Sequence, residues 1–358
     1  MNIAHIKRYL AIALLATTLC GSELFAATIN QGKNNMTELT KTMKTVCVGR
    51  LVIEIPEVAH IKGWDQEVER LTIESISPPS ISRKAFDAKV HHREIVLKTS
   101  PHKTEGHLLK SKVQPSPDSV LFVYREDGAD TTGYGFDAFF WRPGVEYQLK
   151  SSAANSSLDV KTARISKVVQ DIIATPTTNL ATLPPGLCIE HGVITGADNE
   201  YRREHVAVSG RIDAYPGLTF SFSTQSASQP SDDLTLIQRT DRSLGMGDAM
   251  GKEVSAATKF LRKGKRKLNG QNGEEMVAVI TINGETSIEA SAEFYAEPKV
   301  LDKPNIEVSL SDQTHDDNNH KPYGKNLTEK EFLALWDTML NSIKPRPKNQ
   351  WGSVSIKK

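Results

Sequence analysis

The chain has 358 residues, of which 38% are hydrophobic and 24% are charged. This length exceeds the usual size of a single hydrophobic core, so we expect two domains of about 150 residues each. The formal net charge of +1 excludes a global basic field of the kind that attracts nucleic acid, and no polyanionic partner is expected.

The first 26 residues have the pattern of a secretory signal peptide. Lys7 and Arg8 form a basic start, and an apolar run follows over residues 9–19. Cleavage after Ala26 would remove two basic residues and one acidic residue, which leaves a mature chain of zero net charge. We therefore expect an exported protein that begins near residue 27.

Cys20 is the one residue of this leader through which a lipid anchor could be attached. A lipid-attachment motif needs a small residue directly before the cysteine and a leucine-like residue three positions before it. This chain has Leu19 and Thr17 at those positions. Membrane anchoring through Cys20 is therefore not expected, although the alternative stays open.

The mature chain keeps two cysteines, Cys47 and Cys188. An exported protein enters a compartment in which thiols are oxidised when a partner is within reach. Two interpretations stay open at this point. The cysteines form a disulfide between the starts of the two domains, or each is a small buried hydrophobic side chain.

The N-terminal domain is predicted to span residues 47–174, after a polar lead-in over 27–46. Apolar and β-branched residues alternate with polar ones in its strands, and a wide apolar stripe marks its closing helix. The predicted strands cover residues 47–56, 71–76, 120–124, 134–141 and 145–149, and the predicted helices cover 83–97 and 159–173.

Prolines and threonines over residues 175–186 indicate a short extended linker. The C-terminal domain is predicted over 187–347, with a tail over 348–358. Asn283-Gly284 favours a tight hairpin, and Thr328 with Glu331 forms a capping box at the start of a final helix that ends at Pro345. The predicted strands cover residues 188–194, 206–212, 218–222, 276–282, 286–294 and 306–310.

The pattern of the two domains predicts an α+β fold with two modules, each a mostly antiparallel sheet with a closing helix. The similar plan of the two modules suggests duplication.

Motifs of catalysis and metal binding are missing from the sequence. There is no Gly-x-Ser-x-Gly nucleophile elbow, no His-Glu-x-x-His pair and no cysteine-rich zinc motif. The acidic and histidine-rich segment 312–320 is interpreted as a solvated loop, and the glycines of 245–251 as a flexible loop rather than a dinucleotide fingerprint. We assign no catalytic residue, metal ligand or cofactor.

The basic run 259–267 is interpreted as a solvated or partner-facing strand. It begins a longer pattern that resembles the immunity proteins protecting bacteria from type VI secretion phospholipase effectors. The resemblance extends from about residue 45 to 347 and is carried by short segments in both modules. Its signature residues are Gly49, Arg50, Pro56, Gly186, Arg262, Gly264, Arg266, Gly270, Gly273, Glu274, Trp336 and Asp337.

The resemblance implies a periplasmic, non-enzymatic inhibitor with two α+β domains that binds a cognate lipase effector. It does not identify the residues that contact the effector, because the signature residues are of the types that build a fold. The alternative is a periplasmic hydrolase whose site is assembled from residues distant in sequence, and a third interpretation is a scaffold or adhesion module.

Overall fold

The computed structural model describes residues 38–76, 82–175, 183–196, 202–245, 249–316 and 321–346. The predicted signal peptide with Cys20, the tail and most of the linker lie outside these residues. The described chain forms two compact units that are each discontinuous in sequence. Unit 1 contains residues 38–46, 52–63 and 208–344, and unit 2 contains 47–51, 64–207 and 345–346.

Strands make up most of the regular structure. They are β1 (Met43–Val48), β2 (Leu51–Pro56), β3 (Ala59–Val68), β4 (Leu71–Ile76), β5 (Pro101–His102), β6 (Gly106–His107), β7 (Leu109–Val113), β8 (Ser119–Tyr124), β9 (Gly133–Arg142), β10 (Val145–Ala154), β11 (Ile172–Ala174), β12 (Leu187–Ile189), β13 (Gly192–Ile194), β14 (Glu204–Ile212), β15 (Tyr215–Gln225), β16 (Thr258–Leu268), β17 (Gln271–Ile282), β18 (Glu285–Phe294), β19 (Asn305–Gln313) and β20 (Lys344–Pro345).

The helices are fewer and most lie against a sheet. They are α1 (Glu38–Lys41), α2 (Arg83–Thr99), α3 (Leu158–Asp171), α4 (Leu236–Gly245), α5 (Ala249–Ala256) and α6 (Glu329–Ser342), with a short 3-10 turn at Asn155–Ser157. Among the described residues, none of these helices is long and apolar enough to cross a membrane.

The sheet of unit 1 has the strand order β16–β17–β18–β19–β15–β14. Its β17–β18 hairpin turns at Asn283 and Gly284, which have φ angles of 55° and 82°. Both angles are positive, as a type I′ turn requires, and the right-handed twist of the flanking strands favours that turn. The Asn-Gly dipeptide therefore fixes the register of the hairpin.

Helix α6 covers one face of this sheet. The Thr328 side chain accepts a hydrogen bond from the Glu331 backbone N–H, and the Glu331 carboxylate accepts one from the Thr328 backbone N–H, so both residues of the capping box are engaged. The helix buries an apolar stripe against the sheet. The stripe consists of Phe332, Leu335, Trp336, Met339 and Leu340.

In unit 2 the strand order β4–β10–β9–β8–β7 forms an antiparallel sheet. Helix α2 packs on one face through a cluster that includes Phe86, Phe122 and Phe139. Helix α3 lies on the opposite face, where Arg142 donates hydrogen bonds to carbonyls at the helix end. A small three-stranded sheet, β11–β13–β12, lies beside the antiparallel sheet. The Tyr147 hydroxyl donates a hydrogen bond of 2.8 Å to the carbonyl of His191, between β12 and β13.

The α+β prediction is confirmed, since each unit is an antiparallel sheet with helices packed on it. The helix that begins at Arg83, the hairpin at Asn283-Gly284 and the capped final helix are all present. The hairpin and the final helix share a strong local signal, which is a turn dipeptide or a cap next to a clear hydrophobic period.

Two strands predicted as continuous are interrupted. Residues 47–56 form β1 and β2, separated by Gly49 with φ 61°, and residues 188–194 form β12 and β13, separated by His191 with φ 58°. Left-handed backbone at these positions reverses the chain. The single-strand predictions were wrong because both arms of each turn are buried and rich in apolar residues, so the polar residues between the arms were interpreted as positions within one strand.

Two further segments differ from expectation. The charged residues after Pro56 form β3, in which the exposed positions carry most of the charge. Helices α4 and α5 occupy most of the region around 245–251 that was predicted as a flexible loop, with residues 246–248 outside the described chain. In β3 the polar side chains on the exposed face masked the regular structure.

Candidate functional site

In unit 1 a buried carboxylate lies between β16 and α6. Glu275 of β17 accepts two hydrogen bonds from Arg266 at 2.7 Å and one from the Trp336 indole N–H at 2.5 Å. Its neighbour Arg262 forms a bidentate pair with Asp337, at 2.6 and 2.7 Å. We call Arg262, Arg266, Glu275, Trp336 and Asp337 the unit 1 cluster.

The geometry of strand and helix brings the side chains of the unit 1 cluster together. Residues 262 and 266 point to the same face of β16, and residues 336 and 337 lie on adjacent positions of α6, so one carboxylate on β17 can be shared between strand and helix. The hydrogen bonds to Asp337 raise the pKa of Arg262, which keeps its charge. The cluster fastens the final helix to the edge of the sheet.

Unit 2 contains a similar arrangement next to the disulfide. Cys47 and Cys188 are joined, with their Cα atoms 5.8 Å apart, and both are fully buried. Backbone hydrogen bonds in both directions pair Gly49 with Cys188, at 3.0 and 2.7 Å. The disulfide therefore closes a segment that is already held by the backbone.

The arginines of unit 2 surround this disulfide. Arg50 forms a bidentate pair with Glu204 at 2.8 and 2.9 Å, and Arg202 donates to the same carboxylate at 2.7 Å. Arg346 donates to the Cys188 sulfur at 3.3 Å and to the carbonyl of Pro184. We call Arg50, Arg202, Glu204, Arg346 and the disulfide the unit 2 cluster.

The remaining signature residues lie elsewhere and have backbone or surface positions. Gly186, with φ 140°, and Gly273 have no room for a side chain, because a Cβ would lie 2.1 Å from the Ile194 carbonyl oxygen and 2.2 Å from that of Glu293. Gly270 forms the β16–β17 turn with φ 80°.

Pro56 ends β2, and Glu274 faces the side of the sheet opposite to Glu275. The sequence signature includes Glu274, but the buried acceptor of the unit 1 cluster is its neighbour Glu275. Glu204 and Arg202 were missed, since a single charged residue in a sequence does not reveal its burial.

A row of charged side chains crosses the face of the unit 1 sheet on which α4 lies. Lys265, Glu274, Glu293 and Glu307 are direct cross-strand neighbours. Like charges placed opposite one another destabilise a sheet. Here Arg239 pairs with Glu293, and burial raises the pKa of that carboxyl.

The same face has an exposed aromatic side chain at its margin. Burial, with a contribution from Glu274, raises the pKa of Tyr295 to about 12, so the phenol stays protonated and can donate a hydrogen bond. The exposed Leu234 lies just before α4, on the same face of the unit 1 sheet. Tyrosine beside exposed aliphatic surface is typical of protein interfaces.

Within the described part of the chain, no group of three or more His, Cys, Asp or Glu side chains is arranged to hold a metal ion. Of the segment 312–320, Asp312 is buried and accepts hydrogen bonds from the Leu327 N–H and from Asn326. Asp312 thus holds the segment that precedes α6 and does not face solvent. The interpretation of residues 312–320 as a solvated loop was therefore wrong for Asp312. Residues 317–320 lie outside the description.

The unit 1 cluster yields a stability prediction. Glu275→Gln keeps the shape of the side chain but removes the charge shared with Arg266, so we expect the free energy of unfolding to fall by about 3 kcal/mol in a urea titration followed by circular dichroism. The matched control is Glu329→Gln, which breaks an exposed pair with Lys259 and should cost less than about 1 kcal/mol. Equal effects of the two changes would contradict a structural role for Glu275.

The disulfide yields a second stability prediction. Its cysteines are 141 residues apart, and the chain-entropy model puts the stabilisation from such a loop at about 5 kcal/mol at most. We expect the double change Cys47→Ala and Cys188→Ala to lower the unfolding free energy by about 2–5 kcal/mol. Reductant should destabilise the wild type but leave the double variant unaffected, and free thiols in the denatured, unreduced protein would argue against the bond.

The comparisons with known proteins agree with this architecture. Residues 44–182 match the family described as the Tle cognate immunity protein 4 N-terminal domain, and residues 183–348 match the corresponding C-terminal domain family. A comparison with curated proteins gives no match.

Solved structures share the fold at low sequence identity. The chain resembles one in the crystal structure of a Tle4–Tli4 complex, with a TM-score of 0.73 and 23% identity over 85% of this chain and 98% of that chain. It also resembles the apo immunity protein TplEi of the type VI secretion system of Pseudomonas aeruginosa, with a TM-score of 0.72 and 22% identity over 86% and 99% of the two chains.

The resemblance drawn from the sequence is therefore confirmed over both modules. The chain belongs to the Tle cognate immunity protein 4 family, a family of immunity proteins rather than enzymes.

Proposed function

We propose that the mature protein acts in the periplasm, where it binds a cognate phospholipase effector of a type VI secretion system and inhibits it. The observation that carries the proposal is the match of both family domains in order over residues 44–348. The family description names a cognate toxin partner, and a solved relative is a Tle4–Tli4 complex.

The disulfide supports the choice of compartment. A fully buried bond between Cys47 and Cys188 suits an oxidising environment and is rare in the reducing cytoplasm. The sequence of the first 26 residues independently has the pattern of an export signal. Both features support function on the far side of the inner membrane.

Inhibition by binding requires high affinity, because a lethal enzyme must be kept almost fully occupied. A nanomolar dissociation constant corresponds to a binding free energy of about −12 kcal/mol. Specific, stable complexes normally bury about 1,600 Å² or more in total. The zero net charge of the mature chain provides no global attraction, so local charge pairs and aromatic anchors must supply the affinity. Tyr295 and the lysines of β16 are exposed groups of these kinds.

The charge clusters support binding rather than catalysis. In both clusters the arginines are engaged by carboxylates or carbonyls, which leaves them in structural roles. Their effect is to hold the helices and loops of each unit in one arrangement, and a preorganised surface loses less entropy on binding.

Protection of cells tests this proposal. A type VI phospholipase effector of the producing bacterium is directed to the periplasm of a sensitive host, together with the full chain or with a variant that lacks residues 1–26. We expect the full chain to restore growth and the leaderless variant to fail, because it remains in the compartment that the effector does not occupy.

Two outcomes would contradict the proposal in different ways. Death of cells that contain the exported protein would refute immunity against that effector. Equal protection by the leaderless variant would refute periplasmic action. Mass spectrometry of the exported protein provides the control, since it should show an N-terminus near residue 27.

A further inference from the structure

Strand β16 has an open edge. It stands at the end of the strand order of its sheet, and in the described part of the chain no strand lies beyond it. An irregularity separates Phe260 from Arg262, after which residues 262–268 pair with β17 without interruption. Seven residues of regular strand therefore face outward.

The hairpin turn determines which backbone groups point to this edge. Leu268 and Gln271 flank the two-residue turn Asn269-Gly270, in which both φ angles are positive. Residues that flank such a turn exchange both backbone hydrogen bonds, and bonded and non-bonded pairs then alternate along the strands. The non-bonded positions are Lys263, Lys265 and Lys267, so their backbone N–H and C=O groups point away from β17 and toward the open edge.

The backbone at this edge is accessible. The side chain of Lys263 is only 25% exposed, but the residue as a whole is exposed, so its backbone reaches solvent. At Gly264 no heavy atom lies within 4 Å of the position that a Cβ would occupy. An additional strand would meet little steric resistance here.

The charge of the edge selects the kind of strand it can accept. Arg262 and Arg266 are neutralised by Asp337 and Glu275 on one face. The lysines at 263, 265 and 267 share the other face.

Of these lysines, Lys263 is paired with Asp241, and Lys265 lies opposite Glu274. A second copy of this edge in antiparallel pairing would place lysine beside lysine, which is unfavourable. The edge therefore disfavours self-association and favours an acidic strand.

We propose that the open edge of β16 receives an extended, acidic segment of the effector by strand addition. The inference rests on the proposed function for the identity of the partner. In this arrangement the segment has Asp or Glu at every second residue, which places carboxylates about 7 Å apart along the lysine face. On the other face it has a larger side chain above Gly264.

Amide hydrogen exchange on the full-length mature protein tests the geometry. The probe is the acetylated and amidated peptide Thr-Glu-Val-Glu-Thr-Glu-Val, and the control is the same peptide with lysine in place of glutamate. We expect the acidic peptide to slow exchange at Lys263, Lys265 and Lys267, while Arg262, Gly264 and Arg266, already bonded to β17, stay unchanged. The lysine peptide should have no effect.

Two substitutions at one position separate backbone pairing from charge. Lys265→Pro removes an outward N–H, a change that edge strands tolerate, and should abolish the protection and weaken peptide binding roughly tenfold or more. Lys265→Thr retains the N–H and should preserve the protection pattern with about a two- to fivefold loss of affinity. The thermal unfolding of each variant verifies that it is folded.

The outcomes are distinguishable from those of the proposed function. If the purified effector binds the wild type and Lys265→Pro equally well and protects none of the three lysine amides, the strand-addition inference is refuted while immunity stands. If the effector fails to bind the wild type, the proposed function is refuted. Peptide protection that persists in Lys265→Pro, or is seen with the lysine peptide, overturns the inference.

Discussion

Each unit of the structure depends on a buried carboxylate that is shared by two arginines. Glu275 holds Arg262 and Arg266 in unit 1, and Glu204 holds Arg50 and Arg202 in unit 2. Removing one partner from such a group leaves a buried charge without compensation, which costs more than the group contributes when intact. Because of this asymmetry, each carboxylate and its arginines stabilise the fold only as a complete group.

The clusters also separate architecture from recognition. Because the signature arginines are engaged inside each unit, they are less suited to contact a partner directly than the exposed groups of β16, on which the proposed strand addition depends. The lysine face of β16 shows the division within a single strand. Arg262 and Arg266 pair with side chains of β17 and α6. The backbone N–H and C=O groups of the lysines at 263, 265 and 267 point to the open edge.

The sequence predicted the elements whose signals are local, such as the capped helix after Thr328 and the Asn283-Gly284 hairpin. It missed the turns at Gly49 and His191, since the apolar arms on both sides of each turn were interpreted as one strand. Glu275 and Glu204 could not be recognised as buried, because their partners lie 2 to 154 residues away in the sequence and nothing in the sequence marks the pairing. The disulfide remained one of two open interpretations for the same reason.

Inhibition of a phospholipase through a stoichiometric complex is tested most directly by titrating the purified effector's phospholipase activity with the mature protein, at concentrations well above a nanomolar dissociation constant. We expect a linear loss of activity that reaches its end at one equivalent. Undiminished phospholipase activity at a severalfold excess of the protein would contradict it.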